Sequence, residues 1–117
     1  MSPTPSQIVE RVVGDVTVLD LKGRLVVGDG DEAFRDVLNR LIHLGRLKIL
    51  LNMDEVTYID SGGLGAMVSK YISLCKRDGH LKLCHVRDRP LKVLQITRLM
   101  TVFEHFDSEA EALKSFE

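Results

Sequence analysis

A hydroxyl set between a carboxylate and three glycines marks the segment Tyr58-Ile59-Asp60-Ser61-Gly62-Gly63-Leu64-Gly65 as the place where this chain could do chemistry. The spacing predicts Asp60 as the N-cap of a helix, its carboxylate accepting from free N–H groups of the first turn, with Ser61 as the first helical residue. Ile59 is placed to pack on Leu64 as a hydrophobic staple. Gly62 and Gly63 are poor helix formers, each costing about 1 kcal/mol relative to alanine, so their presence asks for a reason beyond helix stability. Room around the Ser61 hydroxyl is the simplest one. A helix N-terminus tolerates a phosphate, and phosphorylation would add about −1.5 to −2 charge to a nearly neutral patch of small residues. A plainer reading fits the same residues: Asp60 and Ser61 cap a helix, and the glycines allow close helix-to-strand packing. Local physics leaves both open.

Other chemistries fit less well. A serine at a strand-to-helix turn suits a hydrolase elbow, but that motif is G-x-S-x-G, and Ile59 occupies its first glycine position. The chain offers no acid and histidine in the expected order; His43 falls on a helix and His80 precedes a strand, as solvated or structural residues do. Neither G-x-G-x-x-G nor G-x-x-x-x-G-K-[ST] is present to cradle a nucleotide. Cys75 and Cys84 sit in apolar patterns and read as small core hydrophobes. Zinc through Cys84 and His85 is discounted, because adjacent strand residues point to opposite faces and no CxxC pair supports them. The expectation is a binding module that is not an enzyme, with no cofactor and no metal.

The elements that must position the serine are legible in the apolar spacing. Residues 1–7, with two prolines, read as a flexible lead, and 8–117 as a single domain. Ile8–Val13 and Val16–Lys22 are rich in β-branched residues and are separated only by Gly14 and Asp15, which predicts a tight hairpin. A turn is expected from Gly23 through VVGDGD. Phe34, Val37, Leu38, Leu41 and Ile42 then recur at helical spacing until Gly45. Lys48–Met53 carries the unbroken run Ile49-Leu50-Leu51 and predicts a central strand covered on both faces. From Leu64, the residues Met67, Val68, Tyr71, Ile72 and Cys75 form a second helical stripe. Leu81–Val86 follows as a strand, a helix begins around Pro90, Val102–Phe106 reads as a last strand, and Ser108 with Glu111 forms a capping box for a closing helix. Such alternation predicts an α/β fold: a mixed, largely parallel sheet of about five strands with about four helices.

Composition narrows the partners. Lysine and arginine number 16 against 17 acidic residues, so the chain lacks the positive field that drives nucleic-acid binding. Its apolar runs fall far short of the roughly 20 residues needed to span a bilayer, and the start shows no secretory signal pattern. A cytoplasmic protein with no membrane insertion is expected.

DSGGLG, with the apolar lead VTYI and the preceding strand LKILLNM, resembles the STAS domain of bacterial anti-sigma factor antagonists. The resemblance covers nearly the whole chain, including the hairpin, Gly23-Arg24-Leu25, the strand ending at Asn52 and the later LKLCHV. It implies that Ser61 is phosphorylated by a partner anti-sigma factor, a serine kinase using ATP and magnesium. It implies also that the unphosphorylated form binds this kinase and frees a sigma factor, and that a metal-dependent serine phosphatase resets the switch. Partner contacts would fall on Asp60, Ser61, Gly62, Gly63 and Leu64, with Gly23 and Arg24 beside them. Two departures stand out. Gly62 replaces the frequent Ser or Thr after the acceptor, which excludes a second site there, and Val26 stands where the family often has an acid. The alternative within the same fold is a scaffold in a stress-signalling assembly or a regulatory subunit of a lipid-transport complex.

Overall fold

The computed structural model describes residues 7–117. Residues 1–6 of the expected lead lie outside the described residues, and Gln7 already belongs to the first strand.

β1 (Gln7–Val13) and β2 (Val16–Leu25) form the expected hairpin, with Val13 opposite Val16 and Gly14 at φ 63° in the two-residue turn. Glycine takes that left-handed conformation without steric cost. There follow α1 (Asp31–His43), β3 (Lys48–Ile59), α2 (Ser61–Cys75), β4 (His80–Cys84), α3 (Asp88–Ile96), a 3₁₀ turn at Leu99–Thr101, β5 (His105–Phe106) and α4 (Glu109–Lys114). The sheet order is β1-β2-β3-β4-β5, antiparallel between β1 and β2 and parallel elsewhere. The mixed, largely parallel five-stranded sheet with four helices is thus the fold the chain adopts.

β3 is central, and Ile49, Leu50 and Leu51 are all fully buried because both faces of the sheet are covered. Ile49, Leu51 and Met53 join Leu19, Leu21 and Leu83 in the larger core, beneath Phe34 and Leu38 of α1, Met67 of α2 and Leu94 of α3. Leu50 points the other way, into a smaller core with Val18, Cys84, Ala112 and Phe116 around α4. Burial pushes the Cys84 thiol up to about 12, so it packs as a hydrophobe. Lys82 is only 6% exposed, and its ammonium is satisfied locally. It donates to the Ser115 carbonyl at 3.0 Å and to Ser115 Oγ at 3.1 Å, pairs with Glu104 at 3.2 Å and lies over the Phe116 ring. The bonds to Ser115 hold the end of the closing helix to β4, and Ser108 Oγ caps its start by accepting from the Glu111 N–H at 3.1 Å.

Four expectations need correction. β2 does not turn at Gly23; that residue is buried within the strand at φ 82°, opposite Val56, and the ladder slips register between it and Arg24. Glycine accepts that positive φ without steric cost, the extra residue at the slip, Thr57, belongs to β3, and β2 continues paired to Leu25. β3 likewise runs past Met53 to Ile59, because Val56 and Ile59 continue to find the core. The last strand shrinks to His105–Phe106, since Phe103 drops into the main core against Tyr71, ring centroids 5.2 Å apart, and draws the backbone out of the ladder. Finally, Cys75 is exposed.

Candidate functional site

The site is built where the C-terminal ends of β2 and β3 meet the start of α2. Asp60, in extended conformation at φ −100°, ends β3 and caps α2 as expected. One carboxylate oxygen accepts from the Gly63 N–H at 2.9 Å, and the other accepts from the Val27 N–H at 3.1 Å. The acid therefore does two things: it caps the helix and ties down the loop between β2 and α1. The Gly63 N–H, aided by those of Val27 and Gly62, holds the carboxyl below the usual aspartate range. The Asp60 N–H in turn donates to the Leu25 carbonyl at 3.3 Å, closing the seam between strand end and helix start.

Ser61 is the first residue of α2 and is exposed. Among the described residues none makes a hydrogen bond to its hydroxyl. The glycines beside it lie against β2 and its loop. A Cβ on Gly63 would stand 1.9 Å from the Leu25 carbonyl oxygen, and one on Gly62 would stand 2.1 Å from Val27 Cγ2. Gly63 is required by the close approach of the β2 backbone, as in the plainer reading of the motif, whereas at Gly62 the obstacle is a methyl group of the exposed Val27 side chain. The open space is at Gly65, where nothing lies within 4 Å of an added Cβ. Ser61, Leu64 and Gly65 open onto a shallow apolar groove of about 660 Å³ that follows the outer face of α2 past Val68 and Ile72 to Lys76.

The loop facing Ser61 is more ordered than its glycine content implied. Val26 and Asp29 exchange backbone N–H···O bonds, both 3.0 Å, around Gly28 at φ 79°. Arg24 pairs with Asp29 at 3.1 Å, and the Gly28 N–H donates to Asp31 at 3.1 Å. No carboxylate stands at Val26; those of Asp29, Asp31 and Asp60 hold the turn. Its tip, Val27, is 68% exposed. Sequence reasoning missed Val27, whose only signal was its place in a turn-prone stretch.

Of the residues expected to meet a partner, Asp60, Ser61, Gly62, Gly63 and Leu64 cluster at the helix start. Ser61 is exposed there, Leu64 half-buried and Gly63 buried. Arg24 is exposed on the neighbouring strand end, whereas Gly23 is buried in β2 and presents no surface.

A family model for the STAS domain matches residues 7–112. The chain is 30% identical over 104 residues to a Thermotoga neapolitana homologue of protein TM1081, described as a candidate anti-sigma factor antagonist, covering 89% of this chain and 92% of that one. It is 36% identical over 61 residues to an anti-sigma-B factor antagonist of Listeria monocytogenes, covering 52% of this chain and 54% of the relative. The crystal structure of the Thermotoga maritima protein TM1081, also a candidate antagonist, superposes with a TM-score of 0.86 at 26% identity, covering 92% of each chain. With the sheet order, the capped serine and these likenesses in agreement, the chain belongs to the STAS domain family.

Proposed function

We propose that this chain is an anti-sigma factor antagonist worked by phosphorylation of Ser61. Unphosphorylated, it binds an anti-sigma factor that is also a serine kinase, and so frees a sigma factor. The kinase moves the γ-phosphate of ATP to Ser61 Oγ, giving ADP and releasing the hydroxyl proton. A serine phosphatase reverses the modification, and the cycle runs in the cytoplasm. Among the described residues no helix is long and apolar enough to cross a membrane.

The observation that carries this reading is the Ser61 hydroxyl: exposed, unbonded within the described fold, and bordered by the apolar groove, with Val27 over the neighbouring Gly62. Asp60 fixes the backbone on both sides of it without touching the hydroxyl. A phosphate there needs no refolding to act. If a partner carboxylate lies about 4 Å away, each added unit of charge costs roughly 4 kcal/mol at an effective dielectric of 20, about a thousandfold in affinity. Desolvation of the phosphate adds to this.

The test is incubation with the cognate anti-sigma kinase and ATP–magnesium, followed by mass mapping. The phosphate is expected on Ser61 alone. Ser61→Ala should bind the anti-sigma factor in both conditions, and Ser61→Asp should bind it weakly. Equal affinity of the two variants would refute the switch. A serine left unmodified would move the chain to the scaffold or transport-subunit reading.

A further inference from the structure

We propose that the phosphorylated chain pairs with a second copy of itself. The two α2 helices lie antiparallel across the apolar groove, and each phosphate on Ser61 is bound by Lys76 and Arg77 of the other copy. This rests on the reading that Ser61 carries the phosphate.

The outer face of α2 has the first property such a pairing needs. Lys70 is the only charged residue in the fifteen that form the helix. Ile72 is 47% exposed on that face, and the groove beside it runs from Ser61 at one end to Lys76 at the other. A helix apolar around most of its circumference is ordinarily covered on both sides.

Charge supplies the second property. Beyond Lys76 the groove passes into a cleft of about 390 Å³ between the ends of α1 and α2, lined by Asn39, Ile42, His43, Ser73, Lys76 and Arg77, with no carboxylate among them. Among the described residues neither Lys76 nor Arg77 has an acidic partner, although Asp78 follows in the chain. Nor are these cations needed to satisfy the helix end. The Ile72 carbonyl accepts from the Lys76 N–H at 3.0 Å, and the Leu74 carbonyl accepts from those of Arg77 and Gly79 at 3.0 and 2.7 Å. One end of the groove thus gains a dianion on modification, while the other, about 22 Å away along the helix, holds two cations with no acidic partner among the described residues.

Self-complementarity supplies the third. Take a two-fold axis through the midpoint between Val68 and Ser69. It sets Ser61 opposite Lys76, Leu64 opposite Ser73, Gly65 opposite Ile72 and Val68 opposite Ser69. Each large side chain meets a small one, the arrangement that lets two helices interdigitate closely. Nothing lies within 4 Å of a Cβ at Gly65, so the space for Ile72 of the other copy is open. The Ser73 hydroxyl already donates to the Ser69 carbonyl at 3.0 Å and asks for no partner across the seam. A single-helix interface is small, so the unmodified pair should be weak and the phosphate decisive. Modification would then both eject the anti-sigma factor and cover the surface it leaves.

The experiment uses the full chain with phosphoserine placed at position 61 during translation, so that no kinase is required. Sedimentation equilibrium in reducing buffer compares it with the unmodified chain. The phosphorylated form should dimerise at least about tenfold more tightly, and the difference should shrink as salt is raised. Lys76→Glu with Arg77→Glu should return the phosphorylated chain to monomer, and Gly65→Leu should do so by bulk with the charges intact; circular dichroism confirms the fold of each. A phosphorylated chain that stays monomeric, equal dimerisation of the two forms, or a dimer that survives the double charge reversal would overturn the proposal. Failure of the anti-sigma kinase to modify Ser61 would instead count against the switch and leave this measurement standing.

Discussion

α1 and α2 lie side by side over the same core, yet they treat solvent in opposite ways. α1 buries Phe34, Leu38, Leu41 and Ile42 and carries Asp31, Glu32, Arg35, Asp36 and Arg40 as well, so each turn contributes to one face or the other. α2 buries Gly63, Ala66, Met67 and Leu74 and bears Leu64, Val68 and Ile72 on the side that the groove follows, with Lys70 as its one charge. The polar face of α1 is explained by solubility. The outer face of α2 has no such polar cover, and Ser61, the phospho-acceptor proposed above, stands at its head.

The largest expected effect tests the inner faces. Leu38→Ala in α1 should cost about 2–5 kcal/mol in urea unfolding, the usual range for a fully buried leucine. Next comes the seam of α2. Gly63→Ala should destabilise by about 3 kcal/mol, because its methyl would meet the Leu25 backbone carbonyl, and backbone yields less readily than a side chain. Gly65→Ala, two positions on in open space, should instead stabilise by roughly 0.5–1 kcal/mol through helix propensity. Similar outcomes for the two glycines would break the distinction between inner and outer face.

At the outer face itself, Ile72→Ser should change stability by less than about 0.5 kcal/mol while weakening anti-sigma factor binding in a pull-down titration. A large stability loss would mean that the residue is structural.

The helix starts differ too. α1 begins without a side-chain cap, whereas α2 begins under Asp60. Because the folded-state pKa of Asp60 is depressed, its contribution is present above the unfolded value, about 3.9, and is lost as pH falls through the folded value. On acidification, amide exchange at Gly63 and Val27 should therefore accelerate before that at Phe34, which donates to a backbone carbonyl. Asp60→Asn should flatten this order.

The same pair of helices shows what could be read in advance. For α1 the apolar period was unambiguous, and the buried face is the expected one. For α2 the stripe Leu64, Met67, Val68, Tyr71, Ile72 and Cys75 was equally regular but divides between the two sides, with Met67 buried and Ile72 and Cys75 exposed. Periodicity locates a face only when the opposite face is polar. At the site, the cap by Asp60 and the position of Ser61 were legible because both depend on neighbours in sequence. The bond from Asp60 to the Val27 N–H was not, since it joins residues 33 apart.

What the sequence determined alone was local: a hairpin turn at Gly14, helices that start at Asp60 and Ser108, a central strand of unbroken apolar residues, and a serine at a helix mouth. Each follows from backbone sterics and hydrogen bonding within a few residues. Tertiary structure decided the rest, including which side of α2 meets the core, why Gly63 must lack a side chain, and where Gly23 lies. Those outcomes depend on which backbone arrives from a distant part of the chain, and contact of that kind leaves no period in the sequence.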